Sequence, residues 1–358
     1  MRKFYLLLLT AALLHPLMAQ DKSKSDKHVV YQMMFHLWGN QQTQVKRNGS
    51  ASENGVTKFK DISEKGLKAL KKKGYSHLYT TVILEHATME DMTAYGSPLD
   101  HPQVVKGRAG SPFAIKDYYD VNPFLADKPA ERMQEFAAML DRVHKADLKL
   151  VLDFVPNHLA RAYHSDMKPA GVVDFGQNDN KDLSFSPTNN FYYLPGTQFT
   201  VPTGVNPPVP VTVPYIEIPA KVSGNNVFSA QPSIHDWFET VKLNYGHDFT
   251  QGRFTAHLPG ADASTDQVPK TWRTMDAVLA YWQEMGVDGF RVDMAHMVPM
   301  EFWRWVVTRC RGRSSGGTGR VRSRPGRAPC RSNSSIPTQR HSNARRARDP
   351  YIPLYSKP

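Results

Sequence analysis

Two residues that could do chemistry, Arg291 and Asp293, stand two apart in the apolar run 286–295. A short apolar run after a glycine predicts a buried parallel strand. Residues two apart project to the same face of a strand, so we expect these side chains to lie together. An arginine beside a carboxylate favours its ionised and oriented form, and such a carboxylate can act as a nucleophile. The pair therefore predicts a catalytic site.

A second apolar run ends in Asp153, Asn157 and His158. Barrels of parallel strands carry their catalytic residues at the carboxyl ends of the strands, which fits both runs. Taken without the other run, Asp153 and His158 could equally be capping and hydrogen-bonding groups at a strand end. Arg291 and Asp293 could form a purely structural ion pair, although such pairs are often neutral or unfavourable compared with apolar packing.

Apolar runs and helical spacings alternate along much of the chain. Strands are predicted over 29–35 and 77–84, and helices with a single apolar stripe over 127–143 and 271–286. This alternation indicates the α/β class with a parallel sheet, either an open doubly wound sheet or a closed barrel.

The two polar strand ends have the spacing D-x-x-x-N-H over 153–158 and G-F-R-x-D over 289–293. Both, in this order, resemble the first and second sequence signatures of the α-amylase family, glycoside hydrolase family thirteen. The resemblance implies a (β/α)8 TIM barrel, of which this chain supplies strands one to four. It also implies a retaining glycosidase that acts on the α-glucosidic bonds of starch, maltodextrin or cyclodextrin.

The resemblance carries roles to matching positions of this chain. Asp293 corresponds to the catalytic nucleophile, and Arg291 to the residue that orients it. Asp153 and His158 correspond to residues that contact the sugar at the cleavage subsite. His296 stands where the family often has a lysine that contacts a neighbouring sugar, so fine specificity stays open.

The loop over 110–123 resembles the family's loop that carries an aromatic platform for the sugar. Phe113 occupies the position where a tyrosine is usual. Stacking of a sugar on the ring survives that change, whereas any hydrogen bond from a phenol is lost. The alternative is a loop aromatic buried under its own segment.

The helical pattern stops over 159–269, where proline, glycine, asparagine and aromatic residues prevail. A loop of this length must form a subdomain. By resemblance it is the irregular β-rich domain B, one wall of the substrate cleft, whose aromatics either stack on glucose rings or fill its own core. In the family, domain B often shares a Ca²⁺ ion with the residue at Asn157, whose amide oxygen is a suitable hard ligand. Its carboxylate partner stays open.

The first residues predict export. Arg2 and Lys3 precede an apolar run over 4–14, and Ala19 suits cleavage, which is typical of a signal peptide. The run is too short for a bilayer span of roughly 20 residues, so we expect a periplasmic or extracellular protein without a membrane anchor. The predicted organisation is a signal peptide at 1–19, the first part of the barrel at 20–158, domain B at 159–269, barrel helix three, strand four and the start of the next helix at 270–308, and a tail at 309–358.

Composition changes abruptly at the tail. Residues 309–358 hold 12 arginines and one lysine against one acidic residue. Their net charge is therefore +12, which equals the formal net charge of the whole chain. Apolar periodicity is absent there, which predicts a disordered basic tail. A tail that binds nucleic acid is one alternative on charge grounds. An exported sugar enzyme has little use for one, so we expect no nucleic-acid partner and interpret the tail as translation in a shifted reading frame.

The tail limits the predicted activity. The family's retaining mechanism needs a general-acid glutamate on strand five and a further aspartate on strand seven, and 309–358 contains no glutamate. Loss of general acid–base help costs roughly 10²–10⁴-fold in rate. We therefore expect a truncated, inactive glycosidase whose partner is an α-glucan or maltooligosaccharide. The alternative from a binding class is a catalytically dead exported glucan-binding protein, and the oligomeric state stays open.

Sequencing of the coding DNA across codons 300–315 tests the frame interpretation. An alternative frame should continue the helix and then encode a strand that ends in glutamate, because the family's general acid lies there. If neither alternative frame does so, the basic tail is authentic and the shifted-frame interpretation is wrong.

Overall fold

A computed structural model describes residues 27–252 and 254–316. The predicted signal peptide and residues 317–358 of the predicted tail lie outside the described residues. The strands and α-helices, in chain order, are β1 (Val30–Met34), α1 (Ala51–Asn54), α2 (Glu64–Lys72), β2 (His77–Thr81), β3 (Leu84–His86), β4 (Ile115–Val121), α3 (Arg132–Lys145), β5 (Lys149–Phe154), β6 (His158–Ala160), β7 (Tyr193–Leu194), β8 (Ala220–Lys221), β9 (Thr240–Lys242), α4 (Lys270–Glu284), β10 (Gly289–Val292) and α5 (Met300–Gly316).

A parallel sheet in the order β1-β2-β5-β10 forms the centre of the fold. Helix α2 connects β1 to β2, α3 precedes β5 and α4 precedes β10, so each crossover contains a helix. This is the repeating unit of a (β/α) barrel. The prediction of four barrel strands is confirmed, and within the described residues β1 and β10 remain the edges of an open sheet.

The register of the sheet brings the two predicted polar strand ends together. Arg291 in β10 stands directly opposite Asp153 in β5. The positions before Asp153 in β5, from Leu150 to Leu152, are at most 1% exposed, so both faces of this strand are covered. That explains its uninterrupted apolar sequence. The same apolar core fixes the position of Asp153 near the carboxyl end of β5.

The helices pack on the sheet through aromatic side chains. Phe136 of α3 and Trp282 of α4 meet edge to face with ring centroids 5.5 Å apart, and both are at most 1% exposed. The Trp282 indole N–H donates to the Tyr118 carbonyl oxygen at 2.8 Å, which satisfies its one polar group. Both residues belong to the apolar stripes predicted from helical spacing.

The predicted strand 77–84 is divided in the structure. Strand β2 ends at Thr81, and Val82 adopts a left-handed conformation with φ of 73° before β3 begins. The Asn122 amide donates to the carbonyl oxygens of Val82 and Leu84 at 2.6 and 2.7 Å, which stabilises the turn. Because this partner is 40 residues away along the chain, the local apolar pattern does not reveal the break.

The segment between β6 and α4 contains short antiparallel pairs, β6 with β9 and β7 with β8. It also has a small core of its own around Phe199 and Phe238. Arg161 is buried beside this core, pairs with Glu217 at 2.6 Å, and places its guanidinium 3.8 Å from the centre of the Phe199 ring. The aromatics of this core are therefore structural, which is one of the two roles expected for them.

Helix α5 continues through the predicted boundary at residue 309. Arg309 and Arg313 both form ion pairs with Asp276 of α4, at 2.8 and 2.7 Å. Cys310 between them is buried. The start of the predicted disordered tail is thus helical up to Gly316, because a buried carboxylate on the neighbouring helix can accept both guanidinium groups. No helix among the described residues is both long and apolar enough to cross a bilayer.

Candidate active site

The guanidinium of Arg291 joins two carboxylates at the carboxyl end of the sheet. Its Nη1 donates to Asp153 Oδ1 and to Asp293 Oδ1, each at 2.9 Å. Asp153 and Asp293 are each 7% exposed, so these ion pairs are shielded from bulk water. One arginine therefore sets the orientation of the predicted nucleophile and of a predicted sugar-contacting residue.

Burial has the larger effect on both carboxylates. It raises the pKa of Asp153 to about 6 and also raises that of Asp293, while the Arg291 charge lowers both. From the sequence we expected the arginine to keep the nucleophile ionised. The Arg291 charge does act in that direction, but the net change in the pKa of Asp293 is a rise, because burial has the larger effect. Tyr79 adds a hydrogen bond from its hydroxyl to Asp153 Oδ2 at 2.8 Å. Sequence reasoning missed Tyr79, which lies inside a buried strand.

Backbone geometry at the end of β10 presents Asp293. Its N–H donates to the Phe154 carbonyl oxygen at 2.8 Å, which continues the pairing with β5. The next residue, Met294, is left-handed with φ of 49°, an uncommon conformation for a residue with a side chain. Such strain clusters at functional sites. The chain therefore turns away from the sheet immediately after the carboxylate.

Asp293 lines an open cavity of about 300 Å³. Its wall is formed by residues from the loop before β4, from β6, from the segment that leads into β9, and from the end of β10. They are Lys106, Ser111, Phe113, His158, Trp237, Glu239, Thr240, Asp293 and Met294. The structure thus brings three of the predicted site residues, Phe113, His158 and Asp293, into one cavity.

The aromatic platform predicted at Phe113 lies at this cavity. Phe113 is partly buried, and its ring centroid lies 5.8 Å from the Arg291 guanidinium carbon. His296 is exposed and does not line the cavity, although its charge lowers the pKa of Asp293. Of the two, only Phe113 is placed to stack on a sugar beside Asp293.

His158 is a buried neutral imidazole. Burial lowers its pKa to about 3, with contributions in the same direction from the charges of Lys242 and Lys106. Its Nδ1 accepts a hydrogen bond from the Asn157 amide at 3.0 Å, and its ring centroid lies 5.1 Å from that of Trp237. The other ring nitrogen keeps its proton and donates to the Phe113 backbone, which joins His158 to the loop of the predicted aromatic platform.

The surroundings of Asn157 do not fit a calcium ion. Lys242, 4% exposed, donates from Nζ to Asn157 Oδ1 and to the Met297 carbonyl oxygen, the latter at 2.9 Å. Calcium takes about six to eight oxygen ligands, carboxylates among them, and a second cation on the same oxygen opposes it. Burial alone lowers the pKa of Lys242 to about 7, and no carboxylate raises it. Lys242 thus occupies the place where the metal was expected. It links β9, the segment after β5 and the loop after Asp293.

Several cavity residues were missed by sequence reasoning. Trp237 and Glu239 lie in the irregular segment before β9, and Lys106 lies in a long loop. Lys106 Nζ pairs with Glu239 Oε1 at 2.8 Å across the cavity wall. No periodicity marks these positions, and only the pairing of β9 with β6 places them near His158.

The protonation of His158 generates a pH prediction. The unfolded chain binds a proton at this residue below its usual pKa of 6.5, and the folded chain excludes it down to about pH 3. Stability therefore falls as the pH drops from 6.5 towards 3, by about 1.4 kcal/mol per pH unit where one proton is involved. His158→Gln should remove that part of the slope in urea unfolding between pH 4.5 and 6. His235→Gln, at an exposed site, is the control, and equal slopes in both variants would contradict the assignment.

The chain is similar to known proteins. A family model described as "Alpha amylase, catalytic domain" matches residues 67–309. The chain is 27% identical over 188 residues to "Maltase 1" of Drosophila virilis, a match that covers 51% of this chain and 22% of that protein. It is 26% identical over 174 residues to "Probable oligo-1,6-glucosidase 2" of Bacillus subtilis (strain 168), a match that covers 46% of this chain and 23% of that protein. The chain spans about a quarter of the length of these curated relatives.

One similar solved structure is that of an alpha-amylase from Lactobacillus plantarum. It is 20% identical to this chain with a TM-score of 0.44, and the match covers 80% of this chain and 43% of that one. The family model extends over more than half of the 358 residues and contains both polar strand ends. The chain therefore belongs to the alpha-amylase family.

Proposed function

We propose that this chain is the substrate-binding and nucleophile-bearing part of an α-amylase-type retaining glycosidase. The observation that carries the proposal is the single guanidinium of Arg291 on both Asp153 and Asp293, beside a cavity with aromatic walls. The relatives named a maltase and an oligo-1,6-glucosidase support a substrate with α-glucosidic bonds. An α-glucan or maltooligosaccharide presents both apolar ring faces and polar hydroxyl groups. The ring faces can stack on the aromatic side chains of the cavity, and the hydroxyl groups can hydrogen-bond to its charged groups.

Each cavity residue has a role in the proposed complex. In a complete retaining enzyme, the carboxylate at the position of Asp293 attacks the anomeric carbon, and a covalent glycosyl ester forms as the glycosidic bond breaks and a general acid protonates the leaving oxygen. Arg291 holds that carboxylate in place, and the His158 ring forms part of the cavity wall against which the sugar lies. Phe113 and Trp237 offer apolar ring faces on which a sugar ring can stack.

The leaving oxygen needs a proton from a second carboxyl group, about 5 Å from the first in a retaining enzyme. Besides Asp293, the one carboxylate that lines the cavity among the described residues is Glu239. Its Oε1 accepts the Lys106 ammonium at 2.8 Å. Because Lys106 already engages this carboxyl group, we do not assign Glu239 as the general acid. We therefore propose that this chain binds the glucan and does not complete hydrolysis.

The proposal includes three sequence-based expectations. Residues 159–269 act as domain B, which contributes Trp237 and Glu239 to the substrate cavity. Residues 1–19 direct export to the periplasm or the extracellular space. The residues that supply the general acid and the further carboxylate in the family belong to strands beyond β10, which supports a truncated enzyme.

Titration of maltoheptaose into the full chain, followed calorimetrically, tests the binding site. Trp237→Ala should raise Kd about 3- to 10-fold, which is about 0.6–1.4 kcal/mol of binding free energy, because the apolar ring face that the sugar covers is lost. Phe254→Ala is the matched control, since Phe254 is 78% exposed and outside the cavity. Equal effects of the two substitutions would contradict the assigned cavity.

Release of reducing sugar from the same oligosaccharide tests the catalytic part separately. The chain and its Asp293→Asn variant should both be at background, because the described residues place no general acid in the cavity. Sugar release that Asp293→Asn abolishes would confirm the nucleophile and show that the chain is active. Absence of both binding and release would contradict the proposed function as a whole.

A further inference from the structure

Four carboxylates gather away from the substrate cavity, beneath the β3–β4 hairpin. They belong to Glu85 of β3, Asp117 and Asp120 of β4, and Asp166 of the loop after β6, and are called the acid cluster below. One oxygen from each lies within 4.8 Å of the others. Two oxygens that share one calcium ion, at about 2.4 Å each, are separated by at most that distance.

The acid cluster is buried. Glu85 is 2% exposed, and Asp117 and Asp120 are not exposed at all. Burying an ionised carboxylate is very unfavourable unless an opposite charge accompanies it. Chance clustering of acidic side chains on a solvated surface therefore does not explain this group.

The neighbouring cations neutralise only part of the charge. Arg132 donates from Nε to Asp120 Oδ2 at 2.6 Å and from Nη2 to Asp166 Oδ2 at 3.0 Å. Lys116, the other cation beside the cluster, is engaged by Asp100 at 3.0 Å. One guanidinium thus faces four carboxyl groups, which is too little positive charge to neutralise the group in its fully ionised form.

Two carboxylate oxygens of the cluster lack any hydrogen-bond partner. They are Glu85 Oε2 and Asp166 Oδ1, both buried. The remaining oxygens are used: Glu85 Oε1 accepts from the Ser97 hydroxyl, and Asp117 accepts from backbone N–H groups of Tyr119 and Met167. A buried polar atom without a partner requires an explanation, and a bound ion is one.

We propose that the acid cluster binds one calcium ion. The donors are oxygens only, which suits a hard cation and excludes the nitrogen and sulfur ligands that zinc prefers. Calcium tolerates irregular geometry, whereas Mg²⁺ demands a near-ideal octahedron and keeps several waters. Glu85 and Asp117 stand opposite each other in the β3–β4 register, so one ion joins both strands of the hairpin to the loop that holds Asp166.

The site is separate from the Asn157 position, where Lys242 already supplies a cation. It also does not depend on the proposed glycosidase function. Its role is to fix the two strands that flank the loop of Phe113, and so to support one wall of the substrate cavity. A positioning role of this kind changes stability directly and substrate binding only through Phe113.

Calorimetric titration of Ca²⁺ into the EDTA-treated full chain tests the proposal. The expected result is one ion per chain with Kd of about 10⁻⁶–10⁻⁴ M. Glu85→Gln and Asp117→Asn should each weaken binding at least about tenfold, since each removes a charged ligand. Asp100→Asn is the control, because Asp100 is equally buried and charged but belongs to the Lys116 ion pair.

Hydrogen exchange of the unchanged chain localises the ion even if a variant fails to fold. Saturating Ca²⁺ should slow amide exchange in peptides that cover β3 and β4, while peptides of α4 stay unchanged. No binding at about 1 mM Ca²⁺ would overturn the proposal, and the cluster would then be neutralised by protons. Binding without protection of β3 and β4, or binding that survives both Glu85→Gln and Asp117→Asn, would place the ion elsewhere and also overturn it.

Discussion

The contact of one guanidinium with two buried carboxylates is the constraint on which the site depends. Arg291 can reach Asp153 and Asp293 together only because β10 pairs with β5 in one register. A shift of one residue would turn Arg291 to the opposite face of the sheet. The apolar packing of α3 and α4 on the sheet fixes this register, so the chemistry at the end of the strands depends on the core beneath them.

Buried polar contacts join the irregular segment to the barrel strands. Lys242 of β9 bonds to Asn157 and to Met297, which lies just beyond the left-handed turn after Asp293. The acid cluster holds the β3–β4 hairpin against the loop of Asp166. Both groups are costly to bury unless fully paired, and so they favour one arrangement of the cavity walls. Lys242 and the proposed ion would each hold in place a segment that borders the same site.

The chemistry of the strand ends could be read from the sequence, and the walls of the cavity could not. Arg291 and Asp293 follow an apolar run whose length and spacing determine both the strand and its exposed end. Trp237 has no such pattern around it, and its place beside His158 results from the pairing of β9 with β6. The expected calcium at Asn157 came from a resemblance, and only the contact with Lys242 shows that this oxygen is already engaged.

Carboxylate titration by ¹³C NMR, in the chain and in its Arg291→Met variant, tests the role of Arg291 most directly. Methionine keeps much of the buried volume and removes the charge. The pKa of Asp153, raised to about 6 by burial, and that of Asp293 should rise by a further one to three units or so in the variant. Arg142→Met, which removes a partly buried arginine elsewhere, should leave both unchanged. Unchanged values in Arg291→Met would contradict the account, because the guanidinium would then not hold the two carboxylates.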